Sequence, residues 1–384
     1  MNEIPDLTVA TGASFHPEAG AAVAELASQL GRLTPETTVL FFASSRYDLD
    51  VLAHALREHF ADQAVLGCTT AGELIGGQGY AEGGLVGAAL TSPLLKAHAA
   101  LIDNLSQYAD SQAETLAADL AGRLQRSDRL DPQRQFGLLL IDGLAMREEA
   151  VAASLFDRFG GVQIIGGSAG DDLHFERTHV FHEGCFHSES ALFSLFECDL
   201  PFQLFRFQHF EPTDVRMVIT ESSPSLRVVN EINGMPATEA YAEAVGVAPE
   251  ALDAAIFAAN PVMLRVGGEW YVRSIQKANP DGSLSFYCAI DTGLVLTLGK
   301  GGDLVENIAQ SMEKLQTMLP DLRFVLGCDC IFRRLELAQQ GRLDAAGPSL
   351  ASVPFLGFST YGEQFNGLHI NQTLTGVAIG AGPR

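Results

Sequence analysis

The residues best suited to chemistry in this sequence lie in three short turns of similar composition. Each turn follows an apolar strand end and contains a glycine, one or two small hydroxyl residues, a second glycine and a carboxylate. The three turns are Val65–Glu73, Ile164–Asp172 and Phe355–Glu363. Hydroxyl and carboxylate groups can bind a polar ligand, and glycine lets a ligand or a neighbouring backbone approach closely. A tight turn without a ligand explains the same pattern, so both interpretations stay open.

The second turn also matches a motif of serine hydrolases. Residues 166–170 read Gly-Gly-Ser-Ala-Gly, the G-x-S-x-G form of a nucleophile elbow with Ser168 as nucleophile. An elbow needs a helix directly after the serine, but two aspartates lead instead into a histidine-rich stretch without an apolar helical stripe. We therefore expect a binding turn and keep the hydrolase as an outside alternative. The candidate ligand contacts here are Gly166, Gly167, Ser168 and Asp171.

One predicted strand places a histidine among phenylalanines. Side chains alternate along a strand, so Leu204–Phe210 would present Phe205, Phe207 and His209 on one face. A haem requires an axial nitrogen ligand, an apolar slot and cations near its propionates. Arg206 is close in sequence, although it would point to the opposite face of a regular strand. A core histidine with a satisfied hydrogen bond explains the pattern as well, and without further information it is favoured.

A second stretch has hydrogen-bonding side chains on one face, directly after the third turn. These are His369, Asn371, Thr373 and Thr375. Such a face could line a polar pocket, or it could be the wet side of an edge sheet. The pattern alone does not separate the two.

Charge and composition exclude several classes of protein. The 384 residues include 47 acidic and 24 basic side chains, a net charge of −23, which disfavours binding to nucleic acid. No apolar run approaches the roughly 20 residues needed to cross a bilayer, and the N-terminus lacks the pattern of a signal peptide. Six cysteines without a CxxC pair predict reduced thiols. We expect a cytoplasmic protein without membrane insertion.

The turns belong to a repeated strand, helix and strand unit. The spacing between the first strand and the turn glycine is the same in Val39–Gly67 and in Leu138–Gly166, and it is slightly longer in Val325–Gly357. Between the second and third units, an antiparallel meander is predicted. We expect an α/β (mixed α+β) fold in which repeated units form mixed and antiparallel sheets flanked by helices, in two domains. The expected boundaries are an N-terminal helical segment at 1–38 and domains at 39–220 and 221–384.

Several of these stretches together resemble the FIST sensory family, in both its N-terminal and its C-terminal domain. The resemblance covers nearly the whole chain from about Val39. It is carried by residues 65–73, 166–171, 231–236, 360–363 and 369–373. Within the family, four further stretches are most similar to the stand-alone nitric-oxide-sensing members: residues 271–275, 281–284, 288–290 and 329–336.

The resemblance implies a ligand-binding signalling module rather than an enzyme. It further implies a haem b that binds nitric oxide, and a partner histidine kinase or other signalling protein that the sensor modulates. It does not identify the iron ligand. The aromatic strand face favours His209, and the further cofactor candidates are His369, Phe205, Phe207 and Arg206.

The alternative is the same fold binding a small polar metabolite, such as an amino acid, without iron. The pocket would lie between the Gly-Ser turns and the face at 369–375. Besides the residues of the second turn, the candidate ligand contacts are Arg273, Tyr361, Glu363, Asn371 and Thr373.

Overall fold

Twenty-six β-strands and nine α-helices cover the part of the chain that the computed structural model describes, residues 6–125 and 129–382. In chain order the strands are β1 (Thr8–Ser14), β2 (Thr37–Ser44), β3 (Ala64–Thr70), β4 (Glu73–Ile75), β5 (Gly79–Ala81), β6 (Leu85–Thr91), β7 (Leu95–Ile102), β8 (Gln135–Ile141), β9 (Gln163–Ser168), β10 (Val180–His182), β11 (Cys185–His187), β12 (Ala191–Cys198), β13 (Phe202–Phe207), β14 (Phe210–Ser223), β15 (Val228–Ile232), β16 (Met235–Pro236), β17 (Val262–Val266), β18 (Glu269–Arg273), β19 (Ile275–Ala278), β20 (Leu284–Phe286), β21 (Val295–Gly301), β22 (Leu322–Cys330), β23 (Phe355–Thr360), β24 (Glu363–Phe365), β25 (Leu368–Ile370) and β26 (Leu374–Gly380). The helices are α1 (Ala19–Leu30), α2 (Leu49–His59), α3 (Asp110–Gly122), α4 (Glu148–Arg158), α5 (Ala237–Val245), α6 (Ala254–Ala259), α7 (Leu304–Met318), α8 (Ile331–Gln339) and α9 (Gly347–Leu350).

Three helices, α2, α6 and α7, begin after aspartates that cap their free backbone N–H groups. The Asp48 carboxylate accepts hydrogen bonds from the first turn of α2 at 3.0 and 3.1 Å, and Asp303 caps α7 in the same way. A carboxylate at this position satisfies donors that have no partner within the helix. None of the described helices is both long and apolar enough to span a membrane.

Three copies of one unit build most of the fold. Each copy has an edge strand, a helix, a central strand, a second helix, a parallel strand that ends in one of the three turns, a hairpin and a closing antiparallel strand. The first unit runs from β1 to β6, the second from β7 to β12, and the third comprises β13, α7 and β22 to β26. This arrangement confirms the predicted class of repeated units in mixed sheets flanked by helices.

Each unit gives its hairpin to the sheet of another unit. The β4–β5 hairpin of the first unit pairs with β23 of the third, β24–β25 of the third pairs with β9 of the second, and β10–β11 of the second pairs with β3 of the first. The exchange closes a ring around the three sheets. It joins segments that are far apart in sequence.

The core has an inner part and three outer parts. The inner faces of the three sheets share one apolar cluster, in which the rings of Phe42 in the first unit and Phe358 in the third stack with centroids 4.1 Å apart. The outer face of each sheet packs against its own helices. Strands buried on both faces explain the continuous apolar runs in the sequence.

The third unit carries a large insertion between β13 and α7. Strands β14 to β21 form an antiparallel sheet in the order β18-β17-β21-β14-β15-β20-β19, with β16 beside β15. Helices α5 and α6 cover one face. The insertion contains the predicted meander, and the expected boundary at residue 221 falls inside β14. Of the expected N-terminal segment, β1 pairs with β6 of the first unit, while residues 1–5 lie outside the described part, as do residues 383–384 of the expected second domain.

Candidate functional site

The three turns interlock where the three sheets meet. Each turn donates a backbone hydrogen bond to another, and the contacts form a closed ring. They run from Gly170 N to Thr69 O at 3.0 Å, from Ala71 N to Ser359 O at 3.0 Å, and from Tyr361 N to Ser168 O at 3.2 Å. The repeated motif therefore joins the units to one another.

Two of the turn carboxylates are buried and hydrogen-bonded within their own units. The Thr70 hydroxyl donates to Glu73 at 2.7 Å, and the Gly84 N–H donates at 2.9 Å. Glu363 accepts from the Thr360 hydroxyl and from the N–H and hydroxyl of Thr373. Burial raises the pKa of both carboxyl groups to about 8. These contacts tie Glu363 and Thr373 to each other and give both a structural role in the third unit.

The carboxylate of the second turn organises the loop that follows. Asp171 accepts backbone hydrogen bonds from Phe175 at 2.9 Å, Glu176 at 2.6 Å and Arg177 at 2.9 Å. It also accepts from the hydroxyl of Tyr361 in the third turn, and burial raises the pKa of that hydroxyl. Asp171 and Tyr361 thus hold one turn against another.

The glycines and the serine of the second turn are needed for packing. A Cβ at Gly166 would lie 2.0 Å from the Leu139 carbonyl oxygen, and one at Gly167 would lie 2.6 Å from Thr360. Ser168 is fully buried and accepts a hydrogen bond from Gln364 at 3.0 Å. Residues 169–178 contain no helix, so the structural context of a nucleophile elbow is missing. The sequence pattern allows either a ligand or a neighbouring backbone to approach these glycines closely. The contacts support the approach of a neighbouring backbone.

A cluster of buried polar side chains lies where the insertion meets the hairpin of the third unit. We call it the Arg273 cluster. Its members are Arg273, Ser274, Gln364, His369, Asn371 and Gln372. Arg273 donates from Nη1 to the His369 carbonyl at 2.8 Å, and Gln364 contacts the His369 ring at 3.2 Å. Residues 369–375 are buried, so this face is not the wet side of a sheet.

Several polar atoms of the Arg273 cluster are buried without a hydrogen bond to any described residue. The donors are Arg273 Nε, Ser274 Oγ and Asn371 Nδ2, and the acceptors are Gln364 Oε1 and Gln372 Oε1. An unsatisfied buried polar group costs about 1–3 kcal/mol. A concentration of such groups makes this region a candidate for a bound water, ion or ligand.

The charge of Arg273 is a second reason to regard this region as a candidate ligand site. Its side chain is 7% exposed, and within the described residues it forms no ion pair. Other buried arginines are paired: Arg227 contacts Glu148 at 2.7 Å, and Arg333 contacts Asp329 at 2.6 Å. Burial lowers the pKa of His369. Because a buried charge is costly unless it is paired, an anion beside Arg273 would lower that cost.

Several residues in and beside this cluster are not predicted from the sequence. Ser274, Gln364 and Gln372 stand next to predicted residues, and the alternation of side chains gave no reason to select them. Arg227 joins the insertion to α4 through Glu148 and Glu149. These partners are distant in sequence, and no local motif marks such a pair.

The candidate haem residues do not share one face. Strand β13 ends at Phe207, so the expectation that His209 lies on the same strand face as Phe205 and Phe207 is wrong. The two phenyl rings stack with centroids 5.0 Å apart and belong to the core beneath α7. His209 instead shares a hydrogen bond between its Nε2 and Glu336, 2.9 Å away, and its ring centroid lies 4.1 Å from that of Phe210.

The remaining haem candidates are also occupied by protein contacts. Arg206 donates to the Trp270 carbonyl at 2.8 Å and lies over the Tyr271 ring at 4.3 Å. His369 is buried, and its ring is so close to Gly362 that a Cβ there would lie 2.2 Å from Cε1. As arranged, these residues do not fit a haem, because each imidazole lies against protein groups: His209 against Glu336 and Phe210, and His369 against Gln364 and Gly362.

An open cleft of about 450 Å³ lies elsewhere, between α2, β3, β7 and the β10–β11 hairpin. The predicted site residues lie outside its lining. Apolar side chains such as Leu56, Phe60 and Phe181 form much of its wall. The Arg273 cluster, in contrast, contains residues predicted from the sequence, unpaired buried donors and acceptors and a buried charge, so we take it as the stronger candidate site.

Comparisons with known proteins agree with the repeated motifs. An uncharacterized protein of Methanocaldococcus jannaschii is 23% identical over 228 residues, which cover 57% of this chain and 43% of that protein. A crystal structure of a chorismatase aligns over the full length of both chains at 11% identity with a TM-score of 0.36, a similarity that carries no inference about activity. The family model of the FIST N domain matches residues 37–235, and that of the FIST C domain matches residues 237–366. The chain therefore belongs to the FIST family, whose domains are ligand-binding sensory domains of signal transduction.

Proposed function

We propose that this FIST chain is a sensor that binds a small metabolite with a carboxylate group, such as an amino acid, and that it catalyses no reaction. The observation that carries the proposal is the buried, unpaired guanidinium of Arg273. A ligand carboxylate beside it would remove the cost of an isolated buried charge. Guanidinium and carboxylate groups match in geometry and can form two parallel hydrogen bonds.

The other free groups of the Arg273 cluster suit the same class of ligand. Ser274 and Asn371 offer further donors for a carboxylate. Gln364 and Gln372 each offer a free amide oxygen, which would accept from an ammonium or hydroxyl group. An amino acid or a hydroxy acid carries both kinds of group.

Binding at this position would act on the contact between the insertion and the three-unit core. Arg273 and Ser274 belong to the insertion, while Gln364 and Asn371 belong to the third unit. A ligand that contacts both sides stabilises one relative position of the two, which is the differential binding that a conformational signal requires. The output would be read by a partner protein, for which a histidine kinase is the candidate.

Binding of free amino acids to the purified full-length chain tests this proposal. The twenty common amino acids would be screened singly by thermal unfolding, and hits measured by calorimetry. We expect at least one saturable ligand, with affinity reduced at least tenfold in Arg273→Gln. The matched control is Arg265→Gln, an exposed arginine of the same insertion, which should bind normally. Equal affinity in Arg273→Gln and wild type would refute the proposal.

A haem-based nitric-oxide sensor of the NosP type, acting on a histidine kinase, is the second proposal. The resemblance of residues 271–275 and 329–336 supports it. So does one atom: Nδ1 of His209 is buried without a hydrogen bond to a described residue. Since the residues as arranged do not fit the group, this function would require a rearrangement around His209 and Glu336.

An absorption spectrum of the protein supplied with haem tests the second proposal. A Soret band that shifts with nitric oxide would support it, and its absence would reject it. Spectra of His209→Ala and His369→Ala would then identify the axial ligand. An unchanged spectrum in both variants would remove both candidates. Autophosphorylation of a candidate partner histidine kinase, measured with this chain in the presence and absence of nitric oxide, would test the partner.

A further inference from the structure

The third unit contains a buried polar cluster at a position where the other two units are apolar. In the parallel strand pairs, Asp329 lies opposite Ser359. The position of Asp329 corresponds to Ala43 in the first unit and Ile141 in the second, which lie opposite the equivalent turn residues. Both of these residues belong to the apolar cores beneath the helices. The fold itself therefore does not require a carboxylate here.

The Asp329 cluster comprises Asp329, Arg333, Arg334, Ser359 and Tyr80. Asp329 accepts from Arg333 Nε at 2.6 Å and from the Tyr80 hydroxyl at 2.6 Å. Arg334 pairs with Glu82 at 2.7 Å. Each arginine thus has one acidic partner, which fixes its position without using all of its donors.

The atoms of this cluster that lack a hydrogen-bond partner among the described residues are donors. Arg333 is 1% exposed, and its Nη1 and Nη2 are buried without a hydrogen bond to any described residue. The same is true of Arg334 Nε and of the Ser359 hydroxyl. Two guanidinium edges therefore present free N–H groups in one buried region. An acceptor with several oxygen atoms would satisfy them.

The position within the sheet is one where open α/β sheets bind ligands. Asp329 and Ser359 lie at the carboxyl ends of the parallel strands β22 and β23, and such ends are the common ligand site of these sheets. Helix α8 begins directly after β22, and its N-cap residue, Cys330, supplies no side-chain hydrogen bond. Free N–H groups at a helix N-terminus attract anions.

We propose that the Asp329 cluster binds a small oxyanion, a carboxylate or phosphate group, held by Arg333 and Arg334 beneath the N-terminus of α8. The site differs from the Arg273 cluster in residues and in the elements that form it. Its entrance lies at the ion pair of Arg334 with Glu82. Arg334 as a whole residue is 7% exposed, whereas the side chain of Glu82 is 69% exposed and reaches the solvent. A chain with both sites occupied would hold two anions.

Anion binding to the full-length chain tests this site with two probes, inorganic phosphate and acetate, at constant ionic strength. Equilibrium dialysis with labelled probe should show saturable binding of at least one of them. We expect Arg334→Gln and Arg333→Lys to weaken this binding at least tenfold, because both change the free N–H pattern. Ser359→Ala should weaken it less. Near-ultraviolet circular dichroism would verify that each variant is folded.

The Arg273→Gln variant separates this inference from the proposed function. It should keep the binding of phosphate or acetate that the Arg334 variant loses. Loss in both variants alike would assign the anion to a single site and overturn the proposal. So would the absence of saturable binding by either probe, which would leave buried water as the partner of these arginines. The identity of the bound probe distinguishes a phosphate site from a carboxylate site.

Discussion

Tyr361 donates a hydrogen bond from its hydroxyl to the carboxylate of Asp171, which lies 190 residues earlier in the chain. The same oxygen accepts from the backbone N–H of Leu173 at 2.9 Å. One phenol therefore connects the turn of the third unit to the loop of the second. The loop includes non-glycine residues with positive φ, at Asp172 (55°), Leu173 (67°) and Phe175 (55°). Such backbone is unfavourable unless neighbouring contacts hold it.

Removal of this hydroxyl should destabilise the fold. Tyr361→Phe keeps the ring, which stacks on Phe175 with centroids 4.8 Å apart, but it leaves the Leu173 N–H without its acceptor and removes the side-chain donor of Asp171. We expect the free energy of unfolding to fall by about 1–3 kcal/mol, the cost of an unsatisfied buried group. Urea unfolding measures it. A change below about 0.5 kcal/mol, the range of ordinary surface substitutions, would show that the hydroxyl is dispensable to the interlocked turns.

The two buried glutamates should make stability depend on pH. Burial raises the pKa of Glu73 and Glu363 to about 8 in the folded chain, against about 4.3 in an unfolded chain. Between these values the folded state keeps a proton that the unfolded state has released. The free energy of unfolding should therefore fall as pH rises from about 5 to 8, by up to about 1.4 kcal/mol per pH unit for each group.

Unfolding curves of the double variant Glu73→Gln and Glu363→Gln measure this contribution. Glutamine keeps an oxygen acceptor but does not titrate, so the slope between pH 5 and 8 should become flatter. Glu36→Gln, at an exposed position, serves as the control and should leave the slope as it is. An identical slope in wild type and the double variant would mean that neither glutamate is protonated in the fold.

The local repeat was predictable from sequence, whereas the contacts between repeats were not. Glycines such as Gly67 and Gly166 mark the turns because a Cβ there would lie 2.4 or 2.0 Å from a carbonyl oxygen of the neighbouring strand. That requirement is local and leaves a visible pattern. The exchange of hairpins pairs β4 with β23, from opposite ends of the chain, and short turn motifs do not encode the partner of a strand.

The candidate site was likewise predictable from the sequence only in part. The sequence predicts Arg273, Asn371 and Ser168 as candidate ligand contacts, and the structure brings them to one region through Gln364 and His369. Their missing partners became visible only when burial was known. His209 failed as a strand residue because β13 ends before it, at Phe207, and nothing in the alternation of Leu204–Phe210 marks that end.

The second glycine of the third turn, Gly362, should resist substitution. A Cβ at Gly362 would lie 2.2 Å from His369 Cε1 and 3.2 Å from Asn371 Nδ2, so Gly362→Ala must displace a buried ring from the Arg273 cluster. We expect a loss of about 1–3 kcal/mol, as for other overpacked sites, together with weaker ligand binding. Urea unfolding and the calorimetric screen measure the two effects.

A glycine in open space provides the matched control. Gly20 lies in α1, and a Cβ added there would have no neighbouring atom within 4 Å. Gly20→Ala should raise stability by about 0.5–1 kcal/mol because alanine favours a helix. Equal effects of the two substitutions would contradict the steric explanation.

Arg227 should couple the insertion to the core, and through it the proposed ligand site to α4. It donates from Nη2 to Glu148 and Glu149 in the first turn of α4, at 2.7 and 2.6 Å, and from Nη1 to the Tyr287 carbonyl at 2.7 Å. The Tyr287 N–H in turn donates to the Ser274 carbonyl at 3.0 Å. A hydrogen-bonded path thus connects the Arg273 cluster with a helix of the second unit.

Removal of one partner from this buried group should be more harmful than removal of both. Arg227→Gln leaves the buried Glu148 without its cation, and we expect a loss of about 3–5 kcal/mol. Glu148→Gln in the same chain should restore part of it, which gives a coupling energy of about 0.5–3 kcal/mol in a double-mutant cycle. Additive losses measured by urea unfolding would show that the two side chains stabilise the fold independently and would contradict the coupling.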